Sequence, residues 1–387
     1  MSAQLRAAEV RDRVAELAAE FAAARPERQQ RRQLVQADFD RLRDAGFLLT
    51  VVPESMGGLW TNLAASTRPA CELLRILAQG DSSVALVAAM HPAVLGFWLA
   101  TPDVPEPHTA AWAEQVTQVC EAARDGSWWG TITSEPGSGG DVLLTRAVAA
   151  RAPDGGYRLS GQKHFGSGSG ITSYMITSAI PADEAAPDWF YVPVAGRPWD
   201  GSAGITLVAE WDGHGMVATQ SHGLAFDGVP AVRFAWPGHI TEIAGSAGPL
   251  AATLFTAVVL GVVQVATDTA RAQLGARRDE LRPYEHTEWV QAEMEAWLAE
   301  QAYAGMLRAI ETGRPALGAV LRGKTAVAQL VESCLLRLCR VLGGGTFARR
   351  SPFGNWFEDV RALGFLRPPW ALAFDNLFPH TFERPPS

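Results

Sequence analysis

Thr131-Ile-Thr-Ser-Glu-Pro-Gly-Ser-Gly-Gly-Asp-Val142 is the stretch that decides how this chain is read. Three hydroxyl side chains, Thr131, Thr133 and Ser134, come first, and each can donate and accept hydrogen bonds. Glu135-Pro136-Gly137 follows as a turn signal. Gly137, Gly139 and Gly140 allow the backbone to approach a bound group closely. Alone, such a run is an ordinary tight turn. Its weight comes from its surroundings.

Short β-prone runs flank it from about 126 to 240: Trp128–Thr133, Ala147–Ala150, Tyr157–Leu159, Tyr174–Ala179, Trp189–Val194, Ile205–Val208 and Ala231–Ala235. Joints such as Pro153-Asp154-Gly155-Gly156 separate them, a pattern that predicts a small barrel or sandwich. Upstream the periodicity is helical, with Val10, Val14, Leu17 and Phe21 on one face and Val35, Phe39 and Leu42 on another. Gly46 is placed to stop the second helix, and Asp81-Ser82-Ser83 to start the apolar run Val84–Met90. Downstream, helices are predicted over Pro249–Leu274, Thr287–Ile310 and Ala316–Leu342, the last stopped by Gly343-Gly344-Gly345. The fold class is therefore α+β, mainly α. It comprises an N-terminal helical domain (1–125), a central β-domain (126–240) and a C-terminal helical bundle (241–387). A β-domain between helical halves makes a cleft, where ligands tend to bind.

The chain has 387 residues, 48% hydrophobic and 19% charged, which describes a soluble globular protein of more than one sub-domain. A net charge of -8 speaks against a nucleic-acid partner. Cys71, Cys120, Cys334 and Cys339 form no CxxC pair and no zinc spacing, so reduced thiols, a cytoplasmic setting and no metal are expected. The N-terminal segment carries charges every few residues and lacks the apolar core of a secretory signal. Pro249–Ala266 approaches the length of a membrane span, but it contains Thr253, Thr256 and Gln264. A buried bundle helix, with no membrane partner, is the expectation.

Other segments join the opening stretch in a recognisable order. Arg41–Leu48 leads into Val52-Pro-Glu-Ser-Met-Gly-Gly58. Leu159-Ser-Gly-Gln-Lys-His-Phe165, Trp211–Ser221, Leu342-Gly-Gly-Gly-Thr-Phe347 and Trp356-Phe-Glu-Asp-Val360 follow. In order and spacing the set resembles the acyl-CoA dehydrogenase superfamily over nearly the whole chain, with 131–142 similar to its T-E-P-x-A-G-S-D signature. The resemblance implies a helical domain, a β-barrel domain and a C-terminal four-helix bundle, assembled as a homodimer or homotetramer. It implies FAD, with FMN or reduced flavin supplied by a reductase as the alternative. It places Thr131, Thr133 and Ser134 at the isoalloxazine edge, Gly139 and Gly140 in the adjoining loop, Phe165 against the ring and Ser167 near N5. Gly343 and Gly344 match the loop that receives the adenosine part of FAD from a neighbouring subunit.

The departures from that pattern bear on the reaction. The position of the usual catalytic glutamate holds Arg367, within Phe365-Leu-Arg-Pro-Pro369. The alternative base position falls near Ala251, in a run with no acid. Guanidinium takes no proton at neutral pH. Glu358, Asp359 and Asp375, the nearest acids, read as solvated or salt-bridged. The Arg-x-x-F-G segment is replaced by Ala276–Tyr284, where Arg277 or Arg278 is left to serve, and Arg340 replaces a glutamine. Lys163-His-Phe-Gly-Ser-Gly168 resembles the monooxygenase branch of the superfamily, some of whose members use a histidine on the helix that carries His91. His91 is thus the catalytic candidate, set near the cleft, while His164 and His222 read as surface residues. Three functions stay open. The first is an acyl-CoA dehydrogenase-like oxidoreductase acting on a small molecule such as an acyl-CoA thioester. The others are a reduced-flavin monooxygenase and a non-catalytic scaffold.

Overall fold

The structure is a computed structural model and describes residues 3–101, 103–313 and 316–382. The N-terminal periodicity folds as it reads except at Val35, which precedes its helix in extended conformation and is exposed. α1 (Ala3–Ala23) buries Val10, Val14, Leu17 and Phe21. After the single turn α2 (Arg25–Arg28), α3 (Gln36–Asp44) buries Phe39 and Leu42. Gly46 leaves that helix at φ +90°, a conformation that costs a side-chain-bearing residue energy. α4 (Leu63–Gly80) starts at Asn62, whose side chain accepts from the Ala65 N–H. α5 (Ser82–Leu99) starts at Asp81, whose carboxylate accepts from the Val84 N–H at 2.9 Å. α6 (Thr109–Arg124) leads into the β-region.

Seven strands follow: β1 (Trp129–Thr131), β2 (Val148–Arg151), β3 (Tyr157–Gly166), β4 (Tyr174–Pro181), β5 (Asp188–Pro193), β6 (Ile205–Ala209) and β7 (His222–Arg233). Their pairings close on themselves: β4 with β5, β5 with β7, β7 with β3, β3 with β2, and β2 with β4. β1 joins β4, and β6 joins β7. Ile132, Leu159, Met175, Phe190, Val192, Leu224 and Phe226 fill the interior of this barrel. Two strands outrun the sequence pattern. β3 continues to Gly166, and β7 begins at His222 rather than near Ala231. Gly223, Gly228 and Pro230 look like breakers locally, but β3, β5 and β6 all pair with β7 and override them.

The chain returns to helices with α7 (Ile240–Gly275), α8 (Pro283–Glu311), α9 (Leu317–Leu342), α10 (Pro352–Phe365) and α11 (Trp370–Leu377). α7 starts well before Pro249, because Gly245, Gly248 and Pro249 disguise its first turns. It packs on α4 and α5 and on α8, α9 and α10. α5 and α7 are long and apolar enough to cross a membrane, yet 83% of each apolar window is buried inside the protein. Thr253 and Thr256 on α7 donate to the carbonyls of Pro249 and Ala252, each at 2.7 Å, which satisfies their hydroxyls inside the core.

Candidate functional site

The loop after β1 is tied down by a buried ion pair. Glu135 and Lys163 sit together, their side chains 4% and 0% exposed, with Lys163 Nζ 2.6 Å from Glu135 Oε1. Lys163 also donates to Thr145 Oγ1 and to the Ser178 carbonyl. Glu135 accepts from the Thr145 hydroxyl and from the Arg146 N–H. Burial alone would push the Glu135 carboxyl up, but Lys163, Thr145 and the Arg146 N–H outweigh it and hold it below the usual carboxylate range. This pair anchors the loop to β3 and to the chain before β2, and it keeps the Glu135 carboxylate engaged.

The loop's outer side is shaped by backbone. Gly137, Gly139 and Gly140 all have positive φ, and a Cβ at Gly137 or Gly139 would meet only open space. Thr133 is buried and Ser134 half-buried. The Ser134 carbonyl accepts from the His164 N–H at 2.8 Å, so the loop runs beside the end of β3.

Phe165 follows at φ +59°, where β3 and β7 slip register. A bulky residue in the left-handed region is a genuine outlier. The strained backbone presents the ring outward, 60% exposed, edge-on to Trp211 at 6.3 Å. Met216 and Gln220 are the other described non-glycine residues with positive φ, and both lie in the 211–221 segment. Such strain concentrates where a site needs a particular geometry.

Behind Phe165 runs a chain of hydroxyls. Ser167 Oγ lies 2.9 Å from Ser221 Oγ, and Ser221 Oγ lies 2.8 Å from Thr219 Oγ1. Thr219 Oγ1 lies 2.8 Å from the Met216 carbonyl oxygen. A carbonyl can only accept, so Thr219 donates to it. Ser221 therefore donates to Thr219, and Ser167 donates to Ser221. The chain has one direction, and it leaves Ser167 Oγ as an acceptor.

The C-terminal segment closes over the loop. Arg367 Nη1 donates to the Gly140 carbonyl, Nη2 lies 3.5 Å from Ser134 Oγ, and Pro369 packs against Gly140. Burial lowers the Arg367 pKa to about 10, so it stays charged at neutral pH.

These features meet on a fold with known relatives. The model for the acyl-CoA dehydrogenase middle domain matches residues 130–229, which span the barrel and its loop. The barrel thus carries the acyl-CoA dehydrogenase middle domain, and the chain as a whole has the acyl-CoA dehydrogenase-like fold. FMN-bound TdsC from Paenibacillus sp. A11-2 superposes with a TM-score of 0.78 at 21% identity, covering 97% of this chain and 98% of that one. The amino sugar nitrososynthase DnmZ of Streptomyces peucetius is 26% identical over 85% of this chain and 82% of its own length. The probable FMNH2-dependent monooxygenase SfnC of Pseudomonas putida is 31% identical over 66% of this chain, a match that spans only 60% of that protein.

Set on this superfamily's frame, the sequence-predicted residues divide. Thr131, Thr133, Ser134, Gly139, Gly140, Phe165 and Ser167 come from the end of β1 and its following loop and from the end of β3 and the residue after it, two segments joined at Ser134 and His164. Gly343 and Gly344 lie apart, at the end of α9, in an open turn that leads to the fully exposed Phe347. Arg277 is engaged within its own chain, paired with Glu285 at 2.9 Å and donating to the Val341 carbonyl.

Three expectations need correction. His91 is fully buried and does not face the cleft. Its Nδ1 accepts from the Trp129 N–H, its Nε2 faces the Leu48 carbonyl, and burial lowers its pKa to about 3. It fastens β1 to α5, stays neutral, and turns its one ring proton, on Nε2, toward the Leu48 carbonyl. His222 is buried rather than on the surface, accepting from the Trp211 N–H at 3.0 Å. Asp359 is neither solvated nor salt-bridged. It is 5% exposed, accepting from the Met216 N–H at 2.6 Å and from the Ser82 hydroxyl at 2.6 Å, and burial pushes it up to about 6. Sequence reading passed over Thr219 and Ser221. The hydroxyl pair two residues apart was visible, but nothing local tied it to Ser167.

Proposed function

We propose that the chain binds reduced FMN beside Phe165 and acts as a flavin-dependent monooxygenase on a small molecule. The observation that carries this reading is Arg367, a guanidinium on the flavin-edge loop where dehydrogenation of a thioester would require a carboxylate base. Glu135 and Asp359 are both held by internal hydrogen bonds, and α7 offers no acid between Pro249 and Ala266.

The donors and space on the loop fit a flavin. Backbone and hydroxyl groups of Thr131, Thr133 and Ser134 would hold the ring edge, Gly139 and Gly140 would let it approach, and the Phe165 ring would form a wall. Ser167, as an acceptor, suits flavin N5, which carries hydrogen only in the reduced form. Reduced flavin, once bound, supplies the electrons that activate dioxygen. Arg367 would place positive charge at that edge and exclude a base from it.

FMN, rather than FAD, is supported by the engagement of Arg277 with Glu285 and by the loss of the Phe-Gly pair that follows it in the superfamily. The names of SfnC and TdsC point the same way. We further place the protein in the cytoplasm as a homo-oligomer. Free thiols at all four cysteines support the first. An exposed apolar stripe on α8, Val290, Met294, Trp297 and Leu298, supports the second.

Anaerobic titration of the purified protein with oxidised and photoreduced FMN tests the reading. Tighter binding of the reduced form, followed by oxygen-dependent turnover of an amine or sulfide, is expected. Tightly bound FAD that acyl-CoA thioesters bleach would overturn it.

A further inference from the structure

Lys324, on α9, is 2% exposed, and among the described residues no carboxylate acts on it as a counter-ion. Its Nζ donates instead to two main-chain carbonyls, Leu366 at 2.7 Å and Pro368 at 2.5 Å. Those carbonyls flank Arg367. Arg367 reaches Gly140 and Ser134, and Pro369 touches Gly140. An unbroken set of contacts thus runs from the core of the helical bundle to the loop beside Phe165.

Burying an ammonium without a counter-ion is unfavourable, and burial lowers the Lys324 pKa to about 7. An apolar side chain of similar length would fill the same space at less cost. Lys324 therefore contributes little net stability by its charge, while its two hydrogen bonds fix a segment that helix packing leaves irregular, between the ends of α10 and α11.

We infer that Lys324 is a positioning residue of the cofactor site, which holds residues 366–368 so that Arg367 and Pro369 clamp the loop 134–141. That this loop is the cofactor site rests on the proposed function; the clamp itself does not.

Two measurements on the full-length chain separate these claims. The first is amide hydrogen exchange over residues 134–141 in ligand-free protein. Lys324→Met is expected to speed exchange there and leave the barrel strands unchanged, with a melting midpoint at or above that of the original protein. Lys324→Arg, which keeps two donors, is expected to restore protection. The second is the affinity for photoreduced FMN. Lys324→Met is expected to weaken it about tenfold. Adding Lys324→Met to Arg367→Ala is expected to cost nothing further, because both act through one contact set. Unchanged exchange over 134–141 in a folded Lys324→Met protein would overturn the inference. So would strictly additive losses of affinity. If the original protein binds no flavin, the proposed function falls, while the exchange experiment still decides the clamp.

Discussion

Arg367 donates from Nη1 to the carbonyl oxygen of Gly140, joining the segment after α10 to the glycine loop after β1. The two residues are far apart in sequence, and the contact brings a permanent positive charge to the loop's edge. Arg367→Ala should therefore weaken flavin binding without unfolding the protein. Loss of one charged hydrogen bond predicts roughly 1.5–3 kcal/mol, about ten- to a hundredfold in the dissociation constant. Arg367→Glu should lose more and should not create a dehydrogenase, because its carboxylate would face the Gly140 carbonyl with no proton between them. Flavin fluorescence quenching and an acyl-CoA bleaching assay read both outcomes.

Phe165 is held at φ +59° with most of its ring in solvent. Its side chain gains little from burial, and its backbone costs about 1 kcal/mol relative to glycine. Phe165→Gly should leave the urea midpoint unchanged or slightly higher while reduced-flavin affinity falls. A fall in stability matching the fall in affinity would mean that the ring packs for structure rather than for a ligand.

The Glu135–Lys163 pair gives the opposite pattern. Lys163→Met leaves the buried carboxylate with only the exposed Arg146, 3.8 Å away, as a cation, a change worth about 3 kcal/mol of stability. Glu135 titrates below its usual range in the folded protein, so its contribution is present above the unfolded value and is lost as the pH falls. Acid unfolding of the original protein should accordingly steepen below the ordinary carboxylate pKa. In Lys163→Met the protein should be weaker at neutral pH and this acid dependence should shrink. Urea titrations at several pH values measure both.

The parts of this molecule legible in its sequence are those set by neighbours along the chain. Asp81 caps α5 because its carboxylate can reach the free N–H three residues further on. Phe39 and Leu42 share a face because a helix repeats every few residues. The loop after β1 stood out because hydroxyls, a proline turn and glycines stand together. What the sequence hid depends on distant partners. β7 forms through glycines and a proline because three other strands pair with it. His91, expected near the cleft from its own helix, proves to be enclosed by Trp128, Trp129 and Leu48. The role of Lys324 depends on carbonyls more than forty residues further on.

The hydroxyl chain from Ser167 through Ser221 to Thr219 has its direction set at one end, by the Met216 carbonyl. Thr219→Val removes that end at nearly constant shape. Ser221 and Ser167 are then able to reverse their hydrogens, and Ser167 becomes able to donate as well as accept. The ratio of oxidised to reduced FMN dissociation constants should fall by about three- to tenfold, with the sum of the effects mainly in tighter oxidised binding. Paired titrations in one buffer give the ratio directly.

Asp359 supplies the last prediction. Its carboxylate accepts from Met216 and Ser82, and with Gly215 pressed on the Glu358 carbonyl it docks the 211–221 segment on α10. Burial raises its pKa to about 6, with the nearby Asp81 and Glu358 adding to the rise, so the charged form is disfavoured in the folded state. Stability from this group is thus fully present below its unfolded value, near 3.8, and is lost as the pH rises through about 6. Asparagine can keep both contacts, accepting from the Met216 N–H and donating to the Ser82 oxygen, and it carries no charge to bury. Asp359→Asn should therefore raise stability at pH 7 by about 1–3 kcal/mol, and the gap should close as the pH falls toward 4. Urea midpoints of the two proteins at pH 4, 5, 6 and 7 measure that gap. A gap that stays constant across the series would show that Asp359 does not titrate in this range.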